Sequence, residues 1–115
     1  MMGENVETFN VGINTVDVVN FLAAREVFVE GSEMVRRAKT LRAVPGLRQA
    51  KLMLDRSGAI PESCDYFDLV FAGVRINSTH IPYLRKVQKH WRLGYGNVNF
   101  DWDEKARLVR FSLLF

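Results

Sequence analysis

Residues 66–76, YFDLVFAGVRI, form the longest run of apolar and β-prone side chains in the chain. A run of this kind reads as a central strand, sheltered on both faces rather than half solvated. Around it the patterning alternates between the two common periods. Phe9, Val11 and Ile13 share one parity, so a short strand is expected over residues 6–12. Asn14-Thr15 then offers an N-cap, and Val16, Val19, Ala23 and Val27 recur at helical spacing, which predicts a helix over residues 15–27. Gly31 breaks that pattern. Ser32 is expected to cap a second helix reaching Leu41, with Met34, Val35, Ala38 and Leu41 inward and Arg36, Arg37, Lys39 and Arg42 outward. Pro45-Gly46 ends it. Residues 47–58 suit either a helix or a strand leading into a turn, and helix is the preferred reading.

After the central strand, Ser78 or Thr79 is expected to open a helix with Pro82 in its first turn, where a missing N–H costs nothing. Ile81, Leu84, Val87 and Trp91 would be its buried stripe, and Arg85, Lys89 and Arg92 its outer face. Gly94-Tyr95-Gly96 reads as a flexible connection. The last twenty residues read as a β-hairpin, with Val98, Phe100 and Trp102 on one strand and Val109, Phe111, Leu113 and Phe115 on the other. The expected fold is therefore α+β: a mostly antiparallel sheet of about four strands, three or four helices packed on one face, and a C-terminal β-hairpin.

At 115 residues the chain is read as one domain, 1–115, large enough to fold without a disulfide or a metal. One cysteine, no secretory pattern at the start and no apolar stretch of membrane-spanning length favour an intracellular protein, cytoplasmic or nuclear, or one made by a virus or phage inside a host.

Charge is segregated along the chain. Arg36, Arg37, Lys39, Arg42, Arg48, Lys51 and Arg56 are met in their span by one acid, Asp55. Arg75, Arg85, Lys86, Lys89 and Arg92 are met by none, and His80 and His90 lie among them. The segment before Met34 carries six acids and one base, so the net +3 conceals two basic blocks. Clustered cations are the usual footprint of an anionic partner. The expected function is a small non-catalytic nucleic-acid-binding domain using two basic helix faces. Arg36, Arg37, Lys39, Arg42, Arg85, Lys86, Lys89 and Arg92 would contact phosphate, with Tyr95 as a stacking surface. The competing reading is a protein-interaction or assembly module, such as a viral accessory or structural protein. It would bind an acidic protein or an anionic membrane and form a homodimer through the C-terminal strand.

The octapeptide Leu93–Phe100, LGYGNVNF, resembles the RNP1 element of RNA-recognition motifs at Gly94, Tyr95, Gly96, Val98 and Phe100. Leu93 stands where that element has a cation, and Asn97 where it has a stacking aromatic. The expected hairpin tail also lacks the helix and strand that should follow, so membership of that family is not inferred. What survives is an expectation that Tyr95 and Trp91, beside Arg92, offer stacking surface.

Catalytic signals are weak. Asp101 and Asp103, two apart on a strand, share a face and suit Mg²⁺, which would make a small nuclease if they faced the basic elements. Cys64 lies between acids, which disfavour a thiolate. His80 and His90 lack the spacing of a helical metal site. No phosphate loop or dinucleotide fingerprint is present. The expectation is no enzyme, no cofactor and no metal.

Overall fold

The computed structural model describes residues 2–113. A six-stranded sheet runs through it in the order β1-β2-β8-β4-β5-β6, and a two-stranded ribbon, β3-β7, lies beside it. The strands are β1 (Asn5–Val11), β2 (Asn14–Val19), β3 (Phe28–Glu30), β4 (Asp68–Val70), β5 (His80–Val87), β6 (His90–Asn97), β7 (Asp101–Asp103) and β8 (Ala106–Leu113). Two α-helices are present among the described residues, α1 (Gly31–Thr40) and α2 (Leu47–Asp55), with single 3-10 turns at Ser57–Ala59 and Glu62–Cys64. The sheet is mixed: β4 and β8 are parallel, and the other neighbours are antiparallel.

The fold is thus α+β as expected, but the expected arrangement is wrong in three respects: six strands plus two rather than four, two helices rather than three or four, and helices on both faces of the sheet. Successive residues along a strand turn to opposite faces. Val70 and Leu108 pack with Met34, Val35 and Ala38 of α1. Their neighbours Leu69 and Val109 pack with Ala50 and Met53 of α2. A sheet buried on both sides needs apolar residues at both parities, which is why its strands do not alternate cleanly.

That same burial accounts for the misread segments. Residues 15–27 are strand β2 and a loop, not a helix. Val16, Val18 and Val19 are all buried, on two faces, and their spacing mimics a helical stripe. Residues 78–92 form β5 and the start of β6, not a helix. The connecting turn is Gln88-Lys89, with φ of 50° and 72°. Positive φ at both central residues is the type I′ geometry that matches strand twist. Gln88-Lys89 is not the Asn-Gly or Asp-Gly pair that usually marks such a hairpin. Pro82 sits in mid-strand, and the Phe71 N–H donates to its carbonyl at 2.9 Å. The run 66–76 contributes only β4, although Leu69, Val70, Phe71 and Ala72 are all buried as a central segment requires.

The expected C-terminal hairpin does not form. β7 pairs with β3, and β8 lies between β2 and β4. Leu114 and Phe115 lie outside the described residues. Three elements match closely: β1 over Asn5–Val11, α1 over Gly31–Thr40 and α2 over Leu47–Asp55. The expected Ser32 cap is displaced. Glu30 is the N-cap, and the first free N–H groups of α1, at Gly31 and Ser32, donate to the carbonyls of Phe100 (2.9 Å) and Val98 (3.0 Å). A side chain at Gly31 would collide with the Val98 carbonyl, so the β6-β7 connection can cap the helix only because this residue is glycine. At α2 the Gly46 N–H donates to Gln49 Oε1 at 2.9 Å.

Candidate polyanion-binding surface

The two basic blocks do not form two helix faces. Arg36, Arg37 and Lys39 lie on α1, and Arg42 follows it with φ of 57°. Arg85, Lys86, Lys89 and Arg92 lie on the β5-β6 hairpin and its turn. Half of these eight cations already have carboxylate partners. Arg36 donates to Glu33 at 2.7 Å through Nε. Arg37 is 13% exposed and forks onto Glu26 at 2.5 and 2.9 Å, while reaching Glu33 at 2.7 Å and the Phe21 carbonyl at 2.9 Å. Hydrogen bonds from these guanidiniums hold the Glu26 and Glu33 carboxyls down to about 2. Arg85 forks onto Asp68 at 2.8 and 2.7 Å and stacks on Tyr83, 5.0 Å from the ring centre. Lys86 reaches Asp65 at 3.1 Å.

Lys39, Arg42, Lys89 and Arg92 have no ion pair among the described residues, and all four are exposed. Lys39 and Arg42 lie at and just after the C-terminal end of α1, and Lys89 and Arg92 on the β5-β6 hairpin. Lys89 is in the hairpin turn, and Arg92 follows on the edge strand β6. Tyr95 is 45% exposed on β6, on the same side of the strand as half-buried Trp91.

The helical reading of residues 47–55 decides where the remaining cations of the first block point. On α2, Ala50 and Met53 face the core. Arg48, Lys51, Leu52 and Asp55 recur at helical spacing on the opposite side, and Arg56 follows at the C-cap. This side forms one wall of a groove of about 720 Å³. Ile13 of the β1-β2 turn, Asn14 at the start of β2, and Phe111 and Ser112 of β8 form the other. A smaller hollow, lined by Arg42, Val44, Pro45, Gln49 and Phe111, adjoins it through Gln49 and Phe111. Arg48 and Lys51 thus line the groove and Arg42 the hollow beside it, and Phe111 lines both. None of the three is paired with an acid among the described residues. Arg48 and Lys51 belong to the basic block read from the sequence. Phe111 was assigned to a hairpin and carried no signal of a groove.

The other candidates are placed as follows. Asp101 and Asp103 flank Trp102 on β7 and line a cavity of about 220 Å³ with Asp68, Tyr83 and Arg85. Among the described residues no group of three or more His, Cys, Asp or Glu side chains is arranged to hold a metal ion. Cys64 is fully buried, and burial, with Glu7 adding to it, pushes its thiol up to about 11. His80 accepts or donates at Nδ1 to the Thr79 hydroxyl (2.8 Å), and His90 is exposed at the other end of the hairpin. The glycines of the RNP1-like segment lie inside β6 and are not a flexible connection. A β-carbon at Gly94 would meet the Tyr83 ring, and one at Gly96 the Trp102 ring. They are packing glycines. No described helix is long and apolar enough to cross a membrane. Comparison with protein-family models, with curated proteins and with solved structures found no match to this chain.

Proposed function

We propose that the protein is a non-catalytic binding module for single-stranded nucleic acid, and that its contact surface is the groove beside α2 rather than two basic helix faces. The observation that carries this is the grouping of three unpaired cations, Arg42, Arg48 and Lys51, along two adjoining hollows that share Phe111. Cations that track a backbone beside an aromatic ring are the usual means of holding a single strand without reading its sequence. Cations already held by carboxylates release few counterions on binding, so Arg36, Arg37, Arg85 and Lys86 add little. The groove and the hollow beside it supply three free cations. For a single strand this corresponds to a fall of roughly 2 log units in affinity per log unit of salt.

The test is fluorescence polarisation with short labelled single-stranded and duplex DNA and RNA across a salt series. Binding with that slope, preferring single strands and lost in the Arg48→Glu/Lys51→Glu double variant, is the expected result. Absence of binding at low salt overturns the reading. One observation favours a second reading: the groove wall is substantially apolar, with Ile13 65% exposed and Leu52 beside it. An acidic amphipathic segment of a protein would place its carboxylates on Arg42, Arg48 and Lys51 and its apolar side chains on Ile13, Leu52 and Phe111. An acidic amphipathic peptide that binds where oligonucleotides do not would establish that partner class.

A further inference from the structure

We infer that β6 pairs with β6 of a second copy, antiparallel and centred on Leu93, to give a two-fold dimer with one continuous sheet. β6 is one of the two edges of the six-stranded sheet. It runs eight residues in unbroken register with β5 and contains neither a bulge nor a proline. Long flat edges of this kind invite pairing with another chain, and proteins usually blunt them. The opposite edge is blunted: the β1 ladder shifts between Asn5 and Glu7.

The direction of the free backbone groups follows from one bond. The Val98 N–H donates to the Thr79 carbonyl at 2.8 Å. Hydrogen-bonded and non-hydrogen-bonded positions alternate in an antiparallel ladder. Gly96, Gly94 and Arg92 therefore turn their N–H and C=O groups toward β5, and Trp91, Leu93, Tyr95 and Asn97 turn theirs outward. The Asn97 carbonyl agrees: it accepts from the Phe100 N–H at 3.2 Å and from Trp102 Nε1 at 3.1 Å, neither of which is on β5.

These groups select the register. Pairing about Leu93 sets Trp91 opposite Tyr95 of the second copy, Leu93 opposite Leu93, and Tyr95 opposite Trp91. Each of these pairs exchanges two hydrogen bonds. An aromatic–aliphatic–aromatic stripe then closes on itself on one face, covering Tyr95, which is 45% exposed. On the other face Arg92 lies opposite Gly94, whose backbone the Tyr83 ring covers, so the guanidinium meets an aromatic ring there and not another cation. Pairing about Arg92 would set two guanidiniums directly opposite, and pairing about Gly94 would need the Asn97 carbonyl that is already engaged. The self-complementarity of Trp91-Leu93-Tyr95 identifies a second copy as the occupant rather than a foreign strand.

The test is sedimentation equilibrium of the full chain from micromolar to millimolar concentration, with amide exchange followed over the same range. The expected result is a mass moving from 13.2 kDa toward twice that value. Exchange at Trp91, Leu93 and Tyr95 slows as the dimer fills, whereas Arg92 and Gly94 are protected throughout. Tyr95→Pro removes an outward N–H without touching the β5-β6 ladder and should weaken the dimer at least tenfold, while Tyr95→Phe leaves it intact. If Tyr95→Pro does not fold, the exchange of the unaltered chain decides. A monomer at every concentration overturns the proposal. So does a dimer whose three outward amides stay unprotected, or one that a folded Tyr95→Pro variant forms equally well.

Discussion

The indole ring of Trp102 lies directly on the backbone of Gly96, in the space that any side chain at residue 96 would need. The ring is held there by its Nε1 donating to the Asn97 carbonyl at 3.1 Å, and its edge meets Tyr83 with ring centres 6.1 Å apart. This contact ties the β3-β7 ribbon to the edge of the main sheet. The segment between β6 and β7 in turn caps α1 through the Phe100 and Val98 carbonyls.

Gly96→Ala should therefore destabilise the protein by about 2 to 3 kcal/mol, the usual cost of forcing atoms into a filled site with rigid neighbours. The midpoint of urea unfolding measures it. Trp102→Leu removes the obstruction along with its own packing. If the two residues interact as described, the double variant is more stable than the sum of the single effects by at least about 1 kcal/mol. Additive effects would mean that the ring moves aside at no cost.

A second prediction concerns acid. Glu26 and Glu33 are held down to about 2 by hydrogen bonds from Arg37 and Arg36. Their pKa values are lower folded than unfolded, so the stability they contribute is complete above the ordinary carboxylate range near 4.5 and is lost as pH falls toward 2. Arg37→Ala removes the hydrogen bonds to both carboxylates and to the Phe21 carbonyl. It should cost on the order of 1 to 2 kcal/mol at neutral pH and leave a shallower loss of stability between pH 4.5 and 2. Thermal unfolding across that pH range is the measurement. Parallel curves for the variant and the unaltered chain would show that Arg37 does not control these carboxyls.

How much of this was legible beforehand depended on which physical signal each segment carried. α1 was readable because Met34, Val35 and Ala38 are buried on one side and Arg36 and Lys39 exposed on the other, the ordinary amphipathic pattern. β2 and β5 were not. Val16, Val18 and Val19, and Ile81 and Leu84, are buried on both sheet faces, and two-sided burial erases the period that distinguishes strand from helix. The pairing of β7 with β3 rather than β8 joins residues about seventy apart in sequence, which no local pattern encodes. The basic blocks were visible in composition. Which of their members are free was not, because Glu26 and Asp68, which hold Arg37 and Arg85, lie 11 and 17 residues away from them.

Arg107 supplies a third prediction. Its guanidinium lies over the Phe67 ring at 4.6 Å and reaches the Glu104 and Ala106 carbonyls, but its Nε is buried without a partner and burial lowers its pKa. Glu104 and Asp103 attract the charge from a distance, but with no carboxylate in contact the half-buried cation loses solvation that its hydrogen bonds do not fully restore. Arg107→Met keeps the stem against Phe67 and removes the buried charge. It should leave stability unchanged or raise it by up to about 1 kcal/mol, read from urea unfolding. A loss above about 1 kcal/mol would mean that the two carbonyl contacts outweigh the desolvation.

The last prediction separates cations that hold the fold from cations that are free to meet a partner. Arg85 and Lys89 sit on one hairpin, four residues apart, and composition treats them alike. The structure does not. Arg85 forks onto Asp68 and stacks on Tyr83, and this joins β5 to β4 at the mouth of the cavity beneath Trp102. Lys89 stands in the turn with no ion pair among the described residues. Arg85→Glu sets two carboxylates against each other and removes the cation from the ring. The pair is half exposed and solvent screens it, so the loss should be modest, on the order of 1 to 2 kcal/mol. Lys89→Glu should stay within about 0.5 kcal/mol of the unaltered chain. Equal stabilities for the two variants would show that the Asp68 fork contributes nothing, and Arg85 would then count among the free cations. Unequal stabilities would mean that any binding lost in Arg85→Glu has to be measured where that variant is fully folded, whereas the same loss in Lys89→Glu reports directly on the partner.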